Sequence, residues 1–167
     1  MPTDRAVRPV IAAAVASLGG YDHVDAVAVQ LPGDVDAVEF ARRVFTGTPG
    51  WVHGLLRARD RLVAPFGLQV QERGPSATAV DVVVGRKVGP FRVLAVSPDE
   101  VLCGDDDRHL DFRTSFAVRR SEGGRGAVGV CTTVVRFHGT AGYLYLRAIQ
   151  PFHRLIVPRA LRAATSV

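Results

Sequence analysis

"HLDFRTSFAVRRSEGGRGAVGVCTTVVRFH", residues 109–138, holds two twelve-residue runs rich in β-branched and aromatic side chains, joined by the six residues SEGGRG. In the first run His109, Asp111 and Arg113 alternate with Leu110, Phe112, Thr114 and Phe116, and a strand sends successive side chains to opposite faces. Two such runs around a glycine-rich turn read as an antiparallel hairpin. Setting Phe116 against Val130, Thr114 against Thr132 and Phe112 against Val134 gives favourable cross-strand pairs and makes the Leu/Phe face the interior. The same register puts Arg136 and His138 on the Leu/Phe side. It places His109, Asp111 and Arg113 beside Val93, Ala95, Val101, Cys103, Val135 and Phe137, a face too apolar to stand bare in water. That face is expected either to be covered, for instance by a second copy in a homodimer, or to line a pocket whose polar floor is His109, Asp111 and Arg113.

Upstream, "FRVLAVS" (91–97) and "EVLCG" (100–104) are further short β-like runs, and "HVDAVAVQL" (23–31) is a first strand ended by Pro32 and Gly33. Asp36 with Glu39 three residues later has the capping-box spacing. Ala37, Ala41, Val44 and Phe45 form one face of the helix it opens. Thr48 and Pro49 start a second helix with the stripe Val52, Leu55, Leu56, Arg59, Leu62, Val63 and Phe66. Downstream, "AGYLYLRAIQPFHRLIVPRALRAA" (141–164) is helical in period, with a kink or break expected near residues 147–151 because Pro151 removes a helical hydrogen bond. Residues 1–22 form an N-terminal extension with a short helix, and 23–165 a single domain, a size that suits one core for a chain of 167 residues that is 47% hydrophobic.

Strand, two short helices, antiparallel strands and one closing helix is an α+β order, that of a helix-grip fold. The stretches "WVHGLLRARDRLV", "VGPFRVL", "DDRHLDFR", "VVRFH" and "PFHRLIVPR" resemble those of a bacterial family of unknown function placed among the START-like (SRPBCC, polyketide cyclase/dehydratase-like) proteins. The resemblance covers most of residues 23–163. It implies a curved sheet wrapped around the C-terminal helix and an internal apolar cavity, and carries no known substrate.

The net charge of +5 comes from arginines scattered along the chain, with Lys87 the single lysine. Without clustering or a reading motif this excess does not make a nucleic-acid footprint. Cys103 and Cys131 lack metal-site spacing. No metal or other cofactor is expected, since no phosphate-cradling glycine loop, dinucleotide fingerprint or nucleophile elbow occurs. "RAVRPVIAAAVASLGG" outlines a secretory signal poorly, because Pro9 and the glycines interrupt it, and no apolar run is long enough for a membrane span. A cytoplasmic protein is expected.

The residues that suit a ligand are Arg59, Arg113, Arg136, His138, His153, Tyr145 and Trp51. Arg59 breaks an apolar stripe, and a buried guanidinium needs an acid such as Asp111 or Asp81, or an anionic ligand. Arg147, Arg154 and Arg162 mark the wet side of the last helix. These features lead to a protein that holds an apolar small molecule, with a carboxylate or enol to meet arginine and histidine. The alternative is a cyclase-, dehydratase- or isomerase-type enzyme with His109 and Asp111 as the catalytic acid/base pair, and a third reading is a dimeric interaction module. If Asp111 is a buried partner of Arg113 or Arg59, Asp111→Asn costs on the order of 3 to 5 kcal/mol.

Overall fold

The computed structural model describes residues 7–47, 50, 51, 54, 81–88, 91–120 and 126–165. Among them the elements run α1 (Ala12–Leu18), β1 (His23–Leu31), α2 (Ala37–Thr46), β2 (Lys87–Val88), β3 (Phe91–Val96), β4 (Glu100–Asp106), β5 (Leu110–Arg120), β6 (Ala127–Phe137) and α3 (Thr140–Ala163). The strands form one curved antiparallel sheet in the order β1-β6-β5-β4-β3-β2, an α+β architecture. Most of the helix read from Thr48 to Phe66, Arg59 included, lies outside the described residues.

Local chemistry explains the short elements. Asp36 caps α2 by accepting from the Glu39 N–H at 2.8 Å, and Glu39 also pairs with Arg43 at 2.8 Å one turn on. The buried face of α2 is Ala37, Phe40, Ala41 and Val44; Phe40, absent from the expected face, is fully enclosed. Gly19 ends α1 in the left-handed conformation (φ 69°) while its N–H meets the Val15 carbonyl. Of the expected kink or break, the break does not occur: α3 is one helix through Pro151 and Pro158. Pro151 is exposed, as is Arg147, whose carbonyl the ring deprives of its helical donor and leaves accessible to solvent.

The hairpin register departs from the expected one by one residue. Phe116 faces Cys131, Thr114 faces Thr133 and Phe112 faces Val135, and across β4 Val101 faces Phe116 and Cys103 faces Thr114. A one-residue slip transfers every partner side chain to the other face. Val93, Val101, Cys103, Val135 and Phe137 therefore join the Leu/Phe side, while Leu102 and Arg136 join Asp111 and Arg113. The Leu/Phe side remains the main interior: Phe116, Val101, Cys103, Val93 and Cys131 form one core with α2 and the end of α3.

The opposite side is covered, and α1 of the same chain covers it. Ala14 and Leu18 pack on Leu102 and Val134 with Ile11, Val24 and Leu94 around them. The homodimer expected to cover this face is not needed for it. Beneath α1 lie Arg113, Ser115 and Thr132, all buried.

Candidate functional site

Arg113 is held in the α1-covered layer. Its Nη1 meets the Asp106 carboxylate at 2.6 Å and the Asp105 and Phe112 carbonyls at 3.3 and 2.9 Å, and its Nε donates to Ser17 Oγ at 2.8 Å. Gly104 lies directly opposite Arg113, and a Cβ there would strike Arg113 Cδ at 2.8 Å as well as the Phe112 carbonyl. Arg113 therefore ties the sheet to α1, with its Nε and Nη1 engaged inside the protein. Arg136 likewise turns to α1, donating to the Leu18 carbonyl at 2.5 Å.

His109 and Asp111 do not pair. The partner of Asp111 is His138, with Nε2 2.8 Å from Oδ2; neither Arg113 nor any other described arginine is its ion-pair partner, and the expected alternative, Arg59, lies outside the described residues. The His109 ring lies 3.5 Å from the Arg108 guanidinium, and its carbonyl accepts from the His138 N–H at 3.0 Å. His138 Nδ1 lies 3.3 Å from the Arg108 carbonyl. Both ring nitrogens thus face acceptors, and only the doubly protonated ring donates to both. The hydrogen bond to Asp111 raises the His138 pKa above 6.5, against smaller opposing effects of desolvation and then of Arg136.

That shift has a sign. A histidine held protonated in the fold adds stability that is complete below the unfolded value and fades as pH rises through its own raised value. His23 acts in reverse: burial lowers its pKa, so its contribution is lost as pH falls below 6.5. Residue-resolved NMR titration should place His138 above 6.5 and His23 below it, and Asp111→Asn should return His138 towards 6.5. An unmoved His138 would show the contact to be absent in solution.

On the interior side, His153 of α3 meets two residues of the sheet. Its Nδ1 lies 3.5 Å from Asp25 Oδ2 on β1 and its Nε2 lies 3.2 Å from Thr133 Oγ1 on β6. Asp25 and Thr133 are directly paired across the strands, and His23 stands two residues from Asp25 on the same face. All four are half-buried. His153 thus bridges β1 and β6, its Nε2 within hydrogen-bond distance of the Thr133 hydroxyl and its Nδ1 in ion-pair range of the Asp25 carboxylate. His153 belongs to the expected residues. His23, Asp25 and Thr133 do not, although the alternation of "HVDAVAVQL" puts His23 and Asp25 on the face of Val27 and Val29.

The remaining expected residues do not converge. His138 stands at the entry to α3, whereas His153, thirteen residues past Thr140, is roughly 20 Å further along the helix. Tyr145 is half-buried in α3. Trp51 is exposed, with the Arg159 guanidinium 5.7 Å from its ring centre. Burial pushes the thiols of Cys103 and Cys131 up to about 12, which removes them as nucleophiles at neutral pH. No metal-holding cluster occurs among the described residues.

A family model described as a protein of unknown function, DUF2867, matches residues 17–160. The chain belongs to this family. No curated protein and no solved structure matches it. Within this DUF2867 chain the matched span takes in the whole sheet, α2 and all but the end of α3, and hence the complete His23, Asp25, Thr133 and His153 cluster.

Proposed function

We propose that the chain is a START-like, helix-grip protein that binds a small, largely apolar molecule between the concave face of its sheet and α3. The supporting observation is the half-buried cluster of His23, Asp25, Thr133 and His153 set among apolar side chains. Phe112 and Phe137 on the sheet and Ile149, Phe152 and Ile156 on α3 are likewise half-buried. A sealed core would bury such residues outright, because interiors pack without voids; partly open apolar walls with a few convergent polar groups are what a ligand site offers. The polar anchor is this cluster, since Arg113 and Arg136 serve α1.

Two probes of one shape test the reading. 2-Naphthol should bind the full chain more tightly than naphthalene, and Asp25→Asn with His153→Gln should weaken 2-naphthol about tenfold, the worth of a hydrogen bond of about 1.4 kcal/mol, while leaving naphthalene unchanged. Native mass spectrometry of protein purified without detergent gives a second check. Failure of both probes to bind, with no retained mass, would refute the site.

The Asp25, His153 and Thr133 alignment also favours a second reading, an acid/base enzyme of the isomerase or dehydratase kind in which His153 moves the proton. In that case the protein exchanges the α-hydrogens of 2-tetralone for deuterium in heavy water and the His153→Gln variant does not. Binding without exchange leaves the first reading alone.

A further inference from the structure

Much of the outward side of α3 is open to solvent. From Thr140 to Ala163 the helix carries Arg147, Arg154, Arg159 and Arg162 and no aspartate or glutamate. At 100° per residue, Leu144, Leu155 and these four arginines fall within one arc about 140° wide, and all six are exposed. Leu144 is 60% exposed, Tyr143 at the edge of the arc 48% and Leu155 39%. Trp51, 45% exposed, sits under Arg159 near the far end of the helix. Arg154 and Arg162 have contacts within the protein. Among the described residues no carboxylate pairs with Arg147 or Arg159, so the arc keeps a positive excess.

We propose that this arc of α3, with Tyr143 and Trp51 at its two ends, docks on the surface of a membrane rich in anionic lipid. Guanidinium groups meet headgroup phosphates in bidentate fashion. Leucine side chains between them, and tyrosine and tryptophan flanking them, gain from the shallow apolar layer beneath the headgroups. The contact is peripheral, since among the described residues no helix is long and apolar enough to cross a bilayer. Charge argues against the other occupants. A symmetric dimer through this face would set arginine against arginine. A nucleic acid would use the arginines but leave Leu144 and Leu155 in water at its phosphate backbone.

Co-sedimentation of the full chain with vesicles decides the matter. Vesicles with about a third phosphatidylglycerol in phosphatidylcholine should bind at least tenfold more protein than pure phosphatidylcholine at low salt, as expected for a basic surface. Arg147→Glu with Arg159→Glu should remove at least tenfold of that binding. Leu144→Ser with Leu155→Ser should remove the fraction that survives raised salt. All four positions are exposed, so the thermal unfolding midpoint should stay near that of the unaltered chain. Equal binding to both vesicles, or none, would overturn the proposal. So would retention of double-stranded DNA that the arginine pair abolishes and the leucine pair leaves unchanged, because that pattern marks a polyanion face without apolar insertion.

Discussion

Arg113→Ala should lower the unfolding free energy by about 3 kcal/mol, Asp106→Ala by about 2, and Arg113→Met by about 1 or less. The order follows from which partner is buried. The Arg113 side chain is 7% exposed and that of Asp106 66%. Truncation to alanine opens a cavity over Gly104, detaches the sheet from Ser17 of α1 and leaves the Asp105 and Phe112 carbonyls short of a donor. Methionine restores most of the volume in a layer that already holds Leu18, Leu102 and Val134. Removing Asp106 instead leaves the guanidinium enclosed without its carboxylate, a cost reduced from the fully buried case because solvent screens the exposed acid. Chemical denaturation of the three variants and of Arg113→Met with Asp106→Ala checks the scheme, and in that double variant the loss of Asp106 should count for about 0.5 kcal/mol or less. If Arg113→Met proves as costly as Arg113→Ala, the hydrogen bonds and not the volume dominate.

Gly129→Ala should cost about 2 kcal/mol, although alanine is ordinarily the better strand residue. Gly129 pairs with Val29 on one side and Val118 on the other, in a strand hydrogen-bonded along both edges. A Cβ there would lie 2.6 Å from Phe40 Cζ and 2.8 Å from Cε2. Phe40 cannot withdraw freely, since Phe116 stands against it edge-on at 6.2 Å and Phe45 backs Phe116 at 5.2 Å. Overpacking a filled core costs about 1 to 3 kcal/mol, and the gain from replacing glycine within a strand is about 0.5 to 1. The clash wins. Phe40→Leu in the same chain should recover at least about 1 kcal/mol of the Gly129→Ala loss, as coupled neighbours do. A neutral or stabilising Gly129→Ala would mean that α2 does not press on β6 as the structure has it.

The strands and caps were legible because their causes are local. Alternation in residues 109–120 and 127–138 suffices to mark β5 and β6, and Asp36 with Glu39 suffices to mark the start of α2. Register was not legible, because it is set by hydrogen bonding across connections whose geometry the side-chain pattern does not encode. The favourable pair Thr114 with Thr132 and the observed pair Thr114 with Thr133 look alike in sequence, yet the first puts Val135 and Phe137 on the Arg113 side and the second puts them on the Phe112 side. The site suffered most from this. Asp111 alternates with Arg113 as a floor of charged groups should, but its partner proved to be His138, and Arg113 found its acid in Asp106.

What the sequence determined by itself, among the described residues, is the strands β1 and β3 to β6, the helix that Asp36 caps, the closing helix, their order and the apolar character of both sheet faces, since periodicity, capping and turn residues act over a few positions. Only the tertiary structure decided what covers each face and which polar groups meet. α1 lies on the Arg113 side, and His153 reaches Asp25 and Thr133 from a helix far away in sequence. Such meetings depend on how the sheet curves and where α3 returns across it, and no residue's neighbours in the chain carry that information.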